Sequence, residues 1–158
     1  MSIFTSIKRS LRHRSVPYPL TQPFWTLPCF VRQCPVAKRY HRLLSGINWH
    51  AFPEHDLTVQ GRHTPTPYRP FVAACLVKLD QDKPSMGKLH TYLREHPALG
   101  YVLGFEAKTL PTARHFTRLL RTMPNDVCQF LLDESVRLLQ ETLQPHVDDF
   151  GQAISLGT

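Results

Sequence analysis

Three arginines recur at helical spacing in one short segment of the chain, at Arg114, Arg118 and Arg121. At about 100° per residue, they fall within roughly 60° of one another on a helical wheel. A guanidinium group binds phosphate oxygens, and it also pairs with the O6 and N7 atoms of guanine in the major groove. The other side of the segment is apolar, through Phe116, Leu119, Leu120 and Met123. The pattern therefore predicts an amphipathic helix whose basic face contacts nucleic acid.

His115 and Thr117 border the three arginines, and both carry side chains that can hydrogen-bond to phosphate. The predicted DNA-binding residues are therefore Arg114, His115, Thr117, Arg118 and Arg121. A plainer interpretation stays open, because surface helices commonly carry basic residues on their solvent side. Three arginines alone do not distinguish a DNA interface from a solvated face.

Helical patterns precede this basic segment. Residues 71–77 are apolar on every side, as in a buried central helix. A polar turn follows, and Ser85 is predicted to cap a second helix. The basic helix itself is expected to begin with Thr109 as its cap. Short helices separated by a turn predict a mainly α fold, a small helical bundle with a helix-turn-helix-like arrangement over residues 68–144.

A fourth and longest helix is predicted from Asn125 to about Leu143, with Pro145 ending it. Its apolar side chains recur at helical spacing and are expected to face the bundle, at Cys128, Leu132, Val136, Leu139 and Leu143. Asp133 and Arg137 are expected to form an i,i+4 ion pair on the solvent side.

The first 67 residues differ in composition from the rest of the chain. Nine of the 14 prolines fall at or before Pro70, and ten Lys and Arg oppose two acids in residues 1–69. The other residues carry nine against ten, so the balances of +8 and −1 give the net charge of +7. We expect residues 1–67 to form an irregular, proline-rich basic arm with a short helix at 36–44. Such an arm favours a polyanionic partner, and a solvated tail without a partner is the alternative.

Residue types that hold metals or catalyse reactions do not assemble into a familiar motif. Cys29, Cys34 and His41, with His50 or His55 as a further candidate, suit zinc by type, but their spacing lacks the second pair of ligands of a structural site. We therefore predict no metal site and no catalytic residue in this chain. The four cysteines form no C-x-x-C pair, and Cys75 and Cys128 are expected to be small core residues. This favours a reducing compartment such as the cytoplasm, and no apolar run is long enough to cross a bilayer.

Residues 68–157 resemble the N-terminal helical domain that precedes the catalytic core in many bacterial DDE-type insertion-sequence transposases. The resemblance depends on the order of several loose elements that follow the apolar helix. They are Lys-Pro-Ser at 83–85, Tyr-Leu-Arg-Glu-His-Pro at 92–97, Leu-Gly-Phe at 103–105, Thr-Leu-Pro-Thr-Ala-Arg-His at 109–115 and Phe-Thr-Arg-Leu-Leu at 116–120.

The resemblance implies that the helical domain binds the terminal inverted repeats of an insertion element. It also implies a following RNase H-like core, in which Asp, Asp and Glu hold two divalent metal ions. Residues 145–158 are then the truncated start of that core, with its first strand at 153–156. Gly157 stands where the first catalytic aspartate is expected, and glycine offers no carboxylate to a metal. Mg²⁺ is therefore expected only with the absent core, and no cofactor in this chain.

These observations predict a transposase-related protein that recognises insertion-element ends on double-stranded DNA and lacks catalysis itself. It is expected with the bacterial nucleoid in the cytoplasm, as a homo-oligomer or with a full-length transposase, and with no membrane partner. Two alternatives stay open. One is an inert remnant of a decayed transposase gene, and the other is one part of a split, active transposase.

Overall fold

The computed structural model describes residues 17–55, 66–106 and 110–155, the last eleven by their backbone alone. Within these ranges the chain forms α-helices and short 3-10 helices and no strand. The α-helices are α1 (Cys29–Arg32), α2 (Pro35–Leu44), α3 (Tyr68–Asp80), α4 (Met86–Glu95), α5 (Pro97–Leu103), α6 (Ala113–Thr122) and α7 (Asn125–Ser155). The 3-10 helices are Pro19–Thr21, Phe24–Thr26 and Trp49–Ala51. The prediction of a mainly α, small helical bundle is confirmed.

Helix α3 lies at the centre of the bundle, as its apolar run at 71–77 predicts. It buries Phe71, Val72, Ala73, Ala74 and Val77. Helices α4 and α5 pack around it through Leu89, Leu93, Leu99, Val102 and Leu103. Phe116 of α6 enters the same core, with ring centroids 5.5 Å from Phe71 and 5.8 Å from Phe105. The basic helix is therefore fixed to the centre of the fold by an aromatic cluster.

Residues 17–55 belong to this core, so the prediction of an irregular arm is wrong for them. Their buried side chains are Leu20, Leu27, Val31, Ala37, Tyr40, Leu44, Trp49 and Phe52. The Tyr18 hydroxyl donates a hydrogen bond to the carbonyl oxygen of Leu103 at 3.0 Å. This contact joins the segment to α5, so no packing boundary falls at residue 67.

The prolines of this segment start short helices instead of preventing them. Pro19 and Pro35 occupy the first helical positions, where the fixed φ of proline suits a helix and its missing N–H costs nothing. The short helix predicted at 36–44 is confirmed as α2. Residues 1–16 and 56–65 of the predicted arm lie outside the described residues.

Glu54 precedes the central helix α3 in the chain, and its carboxylate caps the N-terminus of that helix. Its Oε1 accepts from the backbone N–H of Tyr68 at 2.7 Å, and its Oε2 accepts from that of Arg69 at 2.9 Å. These are among the first N–H groups of α3, which have no partner inside the helix. The negative charge of the carboxylate also interacts favourably with the positive end of the helix dipole.

Glu54→Ala should lower the free energy of unfolding by about 1–2 kcal/mol, because two helix N–H groups lose their acceptors. Glu54→Gln keeps one acceptor oxygen and loses the charge, so its loss should be smaller. Urea unfolding followed by circular dichroism measures both. Equal stability of the alanine variant and the wild type would show that the cap does not stabilise the fold.

Helix α7 is longer than predicted and does not end at Pro145. It continues to Ser155, so residues 153–155 are helical and the predicted first strand of a catalytic core is wrong for them. A strand needs a neighbouring strand to pair its backbone, and the described residues offer none, whereas a helix pairs its own N–H and C=O groups. A proline removes one of those bonds without necessarily ending the helix. Gly157 lies outside the described residues.

Helix α7 also presents the opposite face to the bundle from the one predicted. Val127 is buried, and Phe130 and Leu131 pack against the core. The predicted inner stripe is exposed instead, at Cys128, Leu132, Val136, Leu139 and Leu143. Both faces are apolar, so periodicity alone does not determine which one is buried.

Polar contacts with the loop after α2 fix this rotation of α7. The backbone N–H of Asn48 donates to Glu134 Oε2 at 2.9 Å, and Arg137 donates to the Gly46 carbonyl at 2.8 Å. Arg137 also pairs with Glu134 and Glu141, each at 2.7 Å. The predicted Asp133–Arg137 pair is wrong, because Arg137 is committed to this larger network.

Candidate nucleic-acid interface

The basic helix begins later than predicted. Helix α6 starts at Ala113, and the Thr112 hydroxyl caps it by accepting from the backbone N–H of His115 at 3.2 Å. Thr109 as the cap would place Leu110 inside the helix, where Pro111 disfavours helical geometry for it. The helix ends before Met123, which is extended ahead of Pro124.

Helix α6 packs on the bundle through one face and exposes the other face to solvent. Phe116 and Leu119 are buried, and the helix packs mainly on α4 and α3. Leu120, predicted on the apolar side, is half exposed, so the buried face of the helix is narrower than the sequence indicates. All five predicted site residues line one groove with a volume of about 670 Å³. The lining residues of this groove are Thr112, Arg114, His115, Thr117, Arg118 and Arg121.

The three arginines of this surface are exposed and have no acidic partner among the described residues. Arg114, Arg118 and Arg121 all point into solvent. Among the described residues, no Asp or Glu side chain lies within 4.0 Å of their guanidinium groups. An anion that binds here would therefore meet three cations without first having to displace an ion-pair partner.

His115 holds Arg118 in place. Arg118 Nη2 lies 3.2 Å from His115 Nδ1, and His115 Nε2 lies 2.8 Å from the Thr66 hydroxyl. A guanidinium only donates, so Nδ1 must be the unprotonated acceptor and Nε2 carries the hydrogen that Thr66 accepts. In this arrangement His115 is neutral and both of its nitrogens are occupied. The ring therefore lies between Thr66 and Arg118, with a hydrogen-bond partner on each side.

The Thr117 hydroxyl also makes a hydrogen bond within its own helix. Its hydroxyl donates to the Ala113 carbonyl oxygen at 3.1 Å. A phosphate oxygen needs a donor, and the one hydroxyl hydrogen of Thr117 is already used. Of the five predicted residues, the three arginines therefore present their guanidinium groups to solvent, whereas the polar hydrogens of His115 and Thr117 are engaged within the protein.

Burial and then the positive charge of Arg118 lower the pKa of His115 below 6.5. Because the folded state binds this proton less readily than the unfolded state, His115 gives its full contribution to stability above pH 6.5. That contribution falls as the pH drops below 6.5, since protonation removes the acceptor at Nδ1. NMR titration of the imidazole should show a pKa below 6.5, and Arg118→Gln should raise it without fully restoring 6.5. No change on removing Arg118 would contradict the contact.

A second basic surface lies beside α2 and was not predicted. A groove of about 840 Å³ is lined by Trp25, Lys38, Arg42 and His50, among others, with no acidic side chain among its described lining residues. Trp25 is 75% exposed there. The sequence carried a signal for this surface, because Lys38 and Arg42 are four residues apart and share one face of α2.

The cysteine and histidine residues that would suit zinc do not meet. Cys29 is exposed, and His41 Nε2 is hydrogen-bonded with the Gln22 carbonyl oxygen at 2.9 Å. Within the described residues, no three His, Cys, Asp or Glu side chains gather closely enough to hold a metal ion. Cys75 is partly buried and packs against the core, and burial raises its pKa to about 11. Cys128 is exposed, so its prediction as a core residue is wrong.

Among the helices of the described residues, none combines the length and apolar character needed to cross a membrane. Comparison of the chain with protein-family models, with curated protein sequences and with solved structures finds no match.

Proposed function

We propose that this protein binds double-stranded DNA through Arg114, Arg118 and Arg121 of α6. The observation that supports the proposal is three guanidinium groups on one exposed face of a helix, without an acidic partner among the described residues, while the other face is buried. Guanidinium groups bind phosphates at two points and pair with guanine edges in the major groove. A helix is also the element that fits into that groove.

The rigidity of the helix favours sequence-specific recognition over non-specific electrostatic binding. Phe116 anchors α6 in the aromatic cluster with Phe71 and Phe105, and Thr112 caps its first turn. The bond from Arg118 to His115 limits the rotamers of that arginine. Side chains that are ordered before binding lose less conformational entropy when they bind. The groove with Lys38 and Arg42 would add salt-sensitive phosphate contacts without base selection.

The resemblance of residues 68–157 to transposase helical domains supports a narrower proposal. On that basis the DNA targets are the terminal inverted repeats of an insertion element, and the protein acts at the bacterial nucleoid without catalysing transposition itself. The alternatives are an inert remnant, which would fold and bind no DNA, and one part of a split transposase, which would act only with a second polypeptide.

The test is selection of bound duplexes from a random-sequence pool, followed by anisotropy titrations of the selected and a scrambled duplex across a salt series. Specific recognition predicts tighter binding to the selected duplex that persists as the salt concentration rises. Equal affinity for both duplexes that falls as the salt concentration rises would mean that the protein binds DNA phosphates without sequence specificity. No binding to either duplex would favour the inert remnant. Strand transfer that appears only on addition of a second polypeptide would favour the split transposase.

A further inference from the structure

The outer face of α7 carries four large apolar side chains that are exposed to solvent among the described residues. Leu132, Val136, Leu139 and Leu143 are 59%, 46%, 60% and 53% exposed. At about 100° per residue, this outer stripe is centred roughly 160° away from the face that carries Val127, Phe130, Leu131, Glu134 and Leu138. One side of the helix packs on the bundle, and the other is a continuous apolar stripe. Exposed apolar surface of this continuity marks an interaction site.

The spacing of the outer stripe is that of a helix-to-helix seam. The intervals from Leu132 through Val136 and Leu139 to Leu143 are four, three and four residues. Only one heptad assignment fits, with Leu132 and Leu139 at d and Val136 and Leu143 at a. In a parallel coiled coil, a β-branched residue at a, such as Val136, with leucine at d favours two strands. The stripe therefore matches another helix of the same pitch better than it matches a flat surface.

The residues that flank the stripe fit a second copy of this chain. The flanking e and g positions hold Ser135, Gln140 and Thr142, which are uncharged, and Asp133. Two identical helices would therefore meet with almost no like-charge repulsion, although each chain carries a net charge of +7. The one acid falls at an e position whose parallel partner is the g position of Cys128, which is also uncharged.

We propose that two copies of this chain associate through the outer stripe of α7 as a parallel pair. The inner face of α7 is already occupied by the bundle, through Val127 and the contacts of Glu134 and Arg137. Pairing therefore leaves each bundle intact and adds a two-fold axis along α7. The described part of the stripe spans about 17 Å, at 1.5 Å per residue, so the pair is weak and depends on concentration. The proposal is independent of DNA binding.

Sedimentation equilibrium of the full chain without DNA tests the pairing. The average mass should rise from 18.2 kDa towards twice that value as the concentration increases. Leu132→Gln/Leu139→Gln should remain at the monomer mass throughout. The matched control is Leu43→Gln/Leu79→Gln, which changes two exposed leucines elsewhere and should associate like the wild type. A wild type that stays monomeric, or a control that loses association equally, would overturn the proposal.

A charge-swap pair tests the parallel orientation. Leu139→Lys and Leu139→Glu should each be monomeric alone, because position d faces itself across a parallel seam and like charges repel. An equimolar mixture of the two variants should recover association. In an antiparallel pair Leu139 faces position a, so mixing would restore nothing, and that result would overturn the parallel arrangement. Circular dichroism confirms that each variant is folded.

Discussion

Trp49→Ala should lower the free energy of unfolding by about 3–5 kcal/mol, the range expected when a large buried aromatic residue is truncated. Trp49 is 1% exposed and lies between Tyr18 and Phe52, with ring centroids 5.6 Å and 5.9 Å away. Its indole N–H also donates to the buried Leu44 carbonyl at 2.8 Å. The substitution therefore leaves a cavity and an acceptor without its donor.

The chain supplies a matched control in its other tryptophan. Trp25 is 75% exposed, so Trp25→Ala should change the stability by about 0.5 kcal/mol or less. Guanidinium unfolding monitored by far-UV circular dichroism compares the two variants. Similar, small losses for both would mean that residues 17–55 do not share a core with α3 to α6.

Removing the three arginines of α6 should weaken duplex binding by about 100-fold to 1,000-fold at 0.1 M salt. The variant is Arg114→Gln/Arg118→Gln/Arg121→Gln. If each arginine neutralises one phosphate, the slope of log affinity against log salt should fall by about 2.7. The side chains are exposed, so the melting temperature should change little. Anisotropy titrations at several salt concentrations measure the affinity and the slope together.

The charge-matched control is Arg32→Gln/Lys88→Gln/Arg94→Gln, which removes the same three charges from α1 and α4, outside both basic surfaces. All three side chains are exposed, and both variants carry a net charge three units below the +7 of the wild type. The control should lose less than about tenfold in affinity. Equal losses in the two variants would mean that total charge, and not the face of α6, determines binding.

The sequence predicted α6 well because its signals are local. A 3.6-residue period separates Phe116 and Leu119 from the arginines, and that period alone determines which residues share a face. Ser85 was predicted as a cap for the same reason, and its side chain accepts from the Lys88 N–H at 3.2 Å. The cap of α6 was misplaced by three residues, because the restriction that Pro111 imposes on Leu110 outweighs the preference of threonine for the cap position.

The features that were missed depend on contacts between distant residues. The proline-rich segment looked irregular because its buried residues are spread among short helices with no sustained period. They are held by contacts such as that of Tyr18 with Leu103. Helix α7 has apolar residues on two faces, and Asn48 and Gly46 determine which face is buried. The roles of His115 and Thr117 depend on Thr66 and Ala113, which the sequence does not link to them.

The proposed DNA interface can be tested directly from the guanidinium signals of the folded chain. In ¹H–¹⁵N NMR spectra, duplex added in steps should shift and broaden the Nε–H resonances of Arg114, Arg118 and Arg121 first. Those of Arg32 and Arg137 should respond little, because Arg32 lies on α1 and Arg137 is held by Glu134 and Glu141. Shifts confined to residues outside α6, with the three arginine signals unchanged at saturating duplex, would contradict the proposed interface.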